Sequence, residues 1–206
     1  MSRHSLLSLV VSLIAVNCTA VQGPQDVDSD PEWDFSGGNF SVLLGINLLD
    51  DEDTWAPIDE QATYGLQLDI GDPDAFLRWD VGLNYITDDS VGSGGFGTFG
   101  LEADTWEATL GALTVFDLGR SPVHPYLGLG ASLVHTEAKL SSGGTVLRDS
   151  DFSLGGYLRA GVRFEFRRRQ FVGLDLRQRI GTDLSLGGID TDLDGTVISL
   201  VFGYAF

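Results

Sequence analysis

"TVISLVFGYAF", residues 196–206, decides how this chain is read. Ile198, Leu200, Phe202, Tyr204 and Phe206 are large and apolar on every second position, whereas Val197, Ser199, Val201, Gly203 and Ala205 between them are smaller or more polar. Alternate residues of a strand point to opposite faces, so this segment presents five large apolar groups on one side. A chain end is normally the frayed, polar part of a domain. These side chains therefore need either a protein core or a lipid bilayer to point into.

The same period of two recurs back along the chain. It appears in "NFSVLLGINL" (39–48), "TYGLQLDI" (63–70), "LRWDVGLNY" (77–85), the stretch 105–117, "YLGLGASL" (126–133), "FSLGGYLRAGVRFEF" (152–166) and "VGLDLRQRI" (172–180). With the segment quoted first that makes eight strands, with a nearly unbroken apolar face in most and a less clean one in 105–117. The connections alternate in length. "GDPDA" (71–75), "LGRSPVHP" (118–125) and "RRRQ" (167–170) are short, while "DDEDTWAPIDEQ" (50–61) and "TDDSVGSGGFGTFGLEA" (87–103) are long. An even number of strands of about ten residues, joined by short turns at one end and long loops at the other, is the pattern of an outer-membrane barrel. The expected fold is all-β, an eight-stranded antiparallel up-and-down transmembrane β-barrel with short periplasmic turns and long extracellular loops, spanning residues 39–206.

Two aromatic belts agree with a bilayer. Phe40, Trp79, Phe116, Phe164, Phe166, Tyr204 and Phe206 fall toward the short turns, and Tyr64, Tyr85, Trp106 and Phe152 toward the long loops. Amphipathic rings gather at both membrane interfaces. A soluble, lipocalin-like barrel would turn its apolar face inward around a ligand, and would leave these belts without a reason.

Residues 1–20 read as a secretory signal peptide: Arg3 and His4 precede the apolar "SLLSLVVSLIAV", and Cys18, Thr19 and Ala20 follow. The apolar run is shorter than the ~20 residues of a spanning helix. Acylation at Cys18 is the competing reading, but "IAVN" before it lacks the usual Leu-small-small pattern. Cys18 is the sole cysteine, so the exported chain has no thiol for disulfides, catalysis or metal binding. Residues 21–38 are acidic, contain Pro24 and Pro31 and end in glycines, as a flexible lead-in does. Removing residues 1–20, which carry Arg3 and no acid, takes the formal charge from −18 to −19. Such a surface repels phosphate backbones, which excludes nucleic acid as a partner.

The segments "SLVFGYAF" (199–206), "PYLGLGAS" (125–132) and "GYLRAGVRFEF" (156–166) resemble the small eight-stranded outer-membrane barrels of the OmpA, OmpX and OmpW kind. The resemblance implies insertion into a Gram-negative type outer membrane. It also implies that Ile198, Leu200, Phe202, Tyr204 and Phe206 form the signal recognised by the barrel-assembly machinery, that lipid and lipopolysaccharide are the surroundings, and that the protein is a monomer. It identifies architecture better than activity.

Function must then come from the inside and the loops. Eight strands leave a bore that side chains fill. The inward parity carries Asp69, Asp80, Glu107, Glu165 and Asp175 with Arg78, Arg159, Arg163, Arg177 and Arg179. Equal numbers let each charge have a partner, and a buried charge without one is prohibitive. The lumen is expected to be a charge-paired plug, with Asp175 the first choice of partner for Arg159 and Glu107 the second. A small channel for ions or hydrophobic solutes is the alternative reading.

The loops hold the excess acid: Asp50, Asp51, Glu52, Asp53, Asp59 and Glu60 in the first, Asp183, Asp190, Asp192 and Asp194 in the last. "DTDLDG" (190–195) matches the opening of a calcium loop, which makes Asp190, Asp192 and Asp194 a candidate site for loosely bound calcium. The motif then fails, because its twelfth position is Val201 rather than Glu. A solvated acidic turn into the last strand is the plainer reading. No other cofactor is expected. An outer-leaflet lipid-modifying enzyme needs a nucleophile beside a histidine, and residues 21–206 offer only His124 and His135. His135 with Glu137 or Ser153 is the one combination to weigh, and a non-enzymatic protein is the expectation.

Overall fold

The computed structural model describes residues 37–50, 60–71, 75–94, 97–119, 121–142, 145–167, 169–186 and 189–206. The signal-peptide reading, the lead-in up to residue 36, and the acids Asp51, Glu52, Asp53 and Asp59 lie outside that part, and the last lead-in residue, Gly38, already belongs to the first strand. Every regular element among the described residues is a strand: β1 (Gly38–Leu49), β2 (Glu60–Ile70), β3 (Arg78–Gly94), β4 (Gly97–Val115), β5 (Val123–Ser142), β6 (Thr145–Arg167), β7 (Gln170–Ile180), β8 (Asp183–Leu186), β9 (Ile189–Asp192) and β10 (Gly195–Ala205). Eight of them close an antiparallel barrel in the order β1-β10-β7-β6-β5-β4-β3-β2, and β8 and β9 pair as a separate hairpin. Closure removes every sheet edge from the wall, which a bilayer demands.

The seam between β1 and β10 runs in unbroken register from Asn39↔Ala205 to Leu49↔Gly195. Phe206 extends it: its N–H donates to the Gly38 carbonyl at 3.0 Å, and the Gly38 N–H donates to its carbonyl at 3.3 Å. The Phe206 ring lies over Gly38, in the space a β-carbon there would need. Serine at Phe206 would remove this ring from the lipid side of the seam. A strain carrying Phe206→Ser is expected to export the protein but to accumulate little heat-modifiable barrel in its outer membrane, as scored by gel mobility with and without boiling.

The outward face is apolar as the alternation requires. Leu66, Leu83, Leu110, Leu129, Leu158, Leu174 and Leu200 are exposed on it. At the end where the hairpins project, Tyr64, Tyr85, Trp106, His135 and Phe152 stand in one cross-strand row over β2 to β6. Tyr85 and Trp106 have ring centroids 4.8 Å apart, and His135 stacks on Phe152 at 4.2 Å. His135 thus belongs to the aromatic row. From Phe152 to Phe164 along β6 is about 40 Å of strand, or about 30 Å of height at the usual barrel tilt, enough to cross a bilayer core.

The expected long loop 87–103 is largely strand, and so is the stretch between the fifth and sixth expected strands. β3 to β6 hold 17, 19, 20 and 23 residues, against 11 in β2 and β7. The ladder continues from Thr87↔Asp104 to Gly94↔Gly97 and from His135↔Phe152 to Ser142↔Thr145. Beyond the membrane neither face of a sheet meets lipid, so the apolar period disappears while the backbone pairing carries on. At the opposite end the connections are short. Gly119, at φ 73°, takes the left-handed position of the β4–β5 turn, and its N–H donates to Asp117 Oδ1 at 2.8 Å.

Candidate functional site

The lumen is where chemistry is concentrated, and glycine makes room for it. Tyr126 lies across Gly161, Tyr157 across Gly111 and Gly130, and Phe171 across Gly203, each ring taking the place of a neighbouring strand's β-carbon. Rings laid flat on the wall leave the axis to long charged side chains.

Those charges form tiers. At the turn end Arg163 binds Asp69 and lies between the Tyr126 and Phe171 rings, 4.7 and 5.0 Å from their centroids. The Asn39 amide, oriented so that both its ends are satisfied, accepts from Arg163 Nη1 at 3.0 Å. One tier on, Arg159 reaches Asp175 through Nε and Asp80 through Nη1, the latter at 3.3 Å. Tyr126 donates its hydroxyl hydrogen to Asp175, Tyr157 donates to Asp80 at 2.9 Å, and the Gln67 amide donates to Asp80 as well. Next come Arg177 and Glu107 at 3.5 Å, with Asn84 Nδ2 donating to Glu107 at 3.0 Å. Last is Arg179, 1% exposed, whose Nε donates to the Leu193 carbonyl at 2.7 Å and Nη2 to Asn47 Oδ1 at 3.3 Å.

Eight of the ten residues read from parity are therefore buried inside the tube: Asp69, Asp80, Glu107, Arg159, Arg163, Asp175, Arg177 and Arg179. The other two are at its mouth. Glu165 points the right way but sits one residue short of the register shift at the β6–β7 turn. Its side chain is 52% exposed, 3.8 Å from His124. Arg78 opens β3 and is half-buried beside the same mouth. Parity gives the direction of a side chain and not its height, which is why these two differ from the rest. Arg159 has Asp175 as partner, as the adjacent strand suggests, and also Asp80, whereas Glu107 belongs to Arg177. Sequence reasoning missed Tyr126, Tyr157, Gln67 and Asn84. Their signal was a polar group on inward parity beside glycine.

At the other mouth the two ends of the connection between β7 and β10 meet, the Leu193 N–H donating to the Thr182 carbonyl at 2.9 Å. Leu193 and Thr182 are buried there. Asp194 accepts from the Gly181 N–H, the Thr182 N–H and the Thr182 hydroxyl, each at 2.9 Å. Burial raises its pKa, but these donors, with Arg179 nearby, outweigh that and hold the carboxyl below its ordinary value. Its contribution to loop stability is thus present above the ordinary carboxylate range, and is lost as pH falls through the lowered value. Of the calcium candidates, Asp190 and Asp192 stand on β9, opposite Ser185 and Asp183; their side chains lie outside the described part. Asp194 already has three donors.

Of the two histidine combinations, the structure brings His135 to Glu137 and not to Ser153. His135 faces outward, with Nε2 3.7 Å from Glu137, while Ser153 is buried on the inward face of β6.

The family model of the outer membrane protein beta-barrel domain matches residues 8–206. No curated protein sequence matches the chain. Among solved structures it is similar to a major outer membrane protein of Thermus thermophilus, at TM-score 0.55, 15% identity, and coverage of 82% of this chain and 99% of that one. It is also similar to the N-terminal β-barrel domain of Pseudomonas aeruginosa OprF, at TM-score 0.51, 15% identity, and coverage of 83% and 98%. Neisserial surface protein A is a third, at TM-score 0.50, 17% identity, and coverage of 82% and 96%. Identities this low carry the fold and nothing finer. With a closed eight-stranded barrel, an apolar outer wall and a match over nearly its whole length, the chain belongs to the outer membrane protein beta-barrel domain family, whose place is the outer membrane.

Proposed function

We propose that this outer-membrane protein is non-enzymatic, with a lumen sealed against ions, and that its work is structural or is done by the sheet it projects outside the cell. The observation that carries this reading is the Asp80–Arg159–Asp175 cluster. It ties β3 to β6 and β7 straight across the bore, with both Arg159 and Asp80 side chains fully buried. An ion in transit would have to part charges that a low-dielectric tube holds together. Thr109 and Ser132, facing each other on β4 and β5, keep hydroxyls with no protein partner. Internal water suits such groups, and it does not make an ion path.

In this reading β3 to β6 continue past the aromatic row into the extracellular space, and the short turns face the periplasm. Outer-membrane lipid and lipopolysaccharide are then the immediate partners, and the barrel works as a monomer. No cofactor is called for, since the oxygens of Asp194 are engaged by donors of its own chain. Planar-bilayer recording of the refolded full chain tests it: no resolved steady conductance is expected. A steady single-channel current would replace the sealed lumen with a channel.

A further inference from the structure

We infer that Lys139 and Arg148 form a site for a phosphate of the glycolipid headgroups in the outer leaflet. This rests on the orientation given under the proposed function, and it names a residue-level contact with lipid.

The first observation is the distribution of positive charge. Of twelve Lys and Arg, Arg159, Arg163, Arg177 and Arg179 are inside the lumen, and Arg78, Arg120, Arg167, Arg168 and Arg169 fall in or beside the short connections of the sequence. Arg3 precedes the barrel. Lys139 and Arg148 are the two that remain, on a projecting end that is otherwise rich in acid. The second observation is that they are direct cross-strand partners on β5 and β6. Like charges placed opposite each other destabilise a sheet, so these two cations side by side, one of them already paired on its far side with Glu102, are an arrangement that an anion between them would stabilise.

Geometry supplies the rest. Lys139 has the parity of His135 and Arg148 that of Phe152, so both are on the lipid-side face of the sheet. Each is four residues beyond the aromatic row, about 13 Å along the strand and about 10 Å in height at the usual tilt. That is the level of headgroups, just above the interfacial rings. A recess of about 290 Å³ opens there, lined by Glu137, Ala138, Lys139, Arg148, Asp149 and Ser150.

Acids share the neighbourhood, and each has a contact of its own. Glu102 pairs with Lys139 at 3.2 Å from the side away from Arg148. Glu137 lies 3.7 Å from His135, and Asp149 Oδ1 accepts from the Ser150 N–H at 2.9 Å. A phosphate in the recess would receive charge-assisted hydrogen bonds from the guanidinium and the ammonium, with the Ser150 hydroxyl within the same recess. A protein of net charge −18 surrounded by phosphorylated lipid has good reason to place its few outer cations at this height.

The test uses the full chain, refolded in a zwitterionic detergent, with native mass spectrometry counting bound lipid. The probes are bis-phosphorylated lipid A, the same lipid with its phosphates removed, and inorganic phosphate as competitor. Lys139→Gln/Arg148→Gln is compared with the unaltered chain, and Arg169→Gln at the opposite end serves as the control. Preferential retention of the phosphorylated lipid is expected, weakened by about tenfold or more in the double variant and unchanged in the control. Unchanged gel mobility before and after boiling establishes that each variant is folded. Equal retention by the double variant, or no preference for the phosphorylated lipid, overturns the site. Displacement by millimolar inorganic phosphate overturns the assignment to lipid. None of these outcomes touches the sealed lumen, which conductance alone decides.

Discussion

Arg159→Ala is expected to cost the folded barrel about 3–5 kcal/mol, the usual penalty for breaking a buried pair from one side. The reason is what it leaves behind. Asp80 and Asp175 would lose their shared counter-charge while fully inside the wall. The hydroxyls of Tyr157 and Tyr126 and the amide of Gln67 would remain, each contributing about 1.5–3 kcal/mol as bonds to a charged group, which falls short of offsetting two buried carboxylates without a counter-charge. Urea unfolding in detergent should therefore show strong coupling. Arg159→Ala combined with Asp175→Asn should be far less destabilised than the sum of the single changes, and so should its combination with Asp80→Asn. Glu107→Gln should add simply, because Glu107 is held by Arg177 and Asn84. If the Asp175 and Asp80 cycles are additive, the paired-plug account is wrong, and separate screening of each charge by lumen water takes its place.

A comparable loss is expected from a single methyl group at Gly161. A β-carbon there runs into the ring carbons and hydroxyl of Tyr126, and meets the Leu174 carbonyl oxygen at 2.5 Å. Overpacking of this kind costs about 1–3 kcal/mol. Moving Tyr126 also takes its hydroxyl away from Asp175 and its ring away from Arg163. Gly161→Ala should thus lose about 3 kcal/mol or more once the charged hydrogen bond is added. Gly156→Ala makes the same chemical change where a β-carbon meets only the Gly130 carbonyl at 3.5 Å, and should stay within about 1 kcal/mol. Unfolding midpoints of the two variants, measured side by side, decide it. Equal losses would mean that the ring-on-glycine contact is not what makes position 161 intolerant.

The membrane-spanning part of the barrel was legible in the sequence because lipid enforces the alternation on every strand. Leu66, Leu110 and Leu174 could be assigned to the outer face from parity alone. The projecting parts of β3 to β6 were not legible: Thr87–Gly94 is polar and glycine-rich, and its strand character comes from its partner rather than from its composition. In the lumen, parity found the direction of every charge but not its partner. The Arg163–Asp69 contact joins residues 94 positions apart, and Arg159–Asp80 residues 79 apart. Such pairs depend on curvature and stagger, which no local pattern encodes. For Glu165, the turn that ends β6 lifted a correctly directed side chain out of the tube.

The cross-lumen contacts share a property with a consequence for time rather than for energy. Asp69, Asp80 and Glu107 come from β2, β3 and β4, and their arginines from β6 and β7. None of these links can exist in an open, uncurled sheet, since the two halves face each other only after β1 has met β10. They are therefore absent until the sheet has curled, and where curling limits the rate of assembly they form only after its transition state. Interactions formed after a transition state slow the reverse reaction and leave the forward one almost untouched. The interior network then acts as a latch: it does little to hasten assembly, and it sets how long an assembled barrel lasts before it opens.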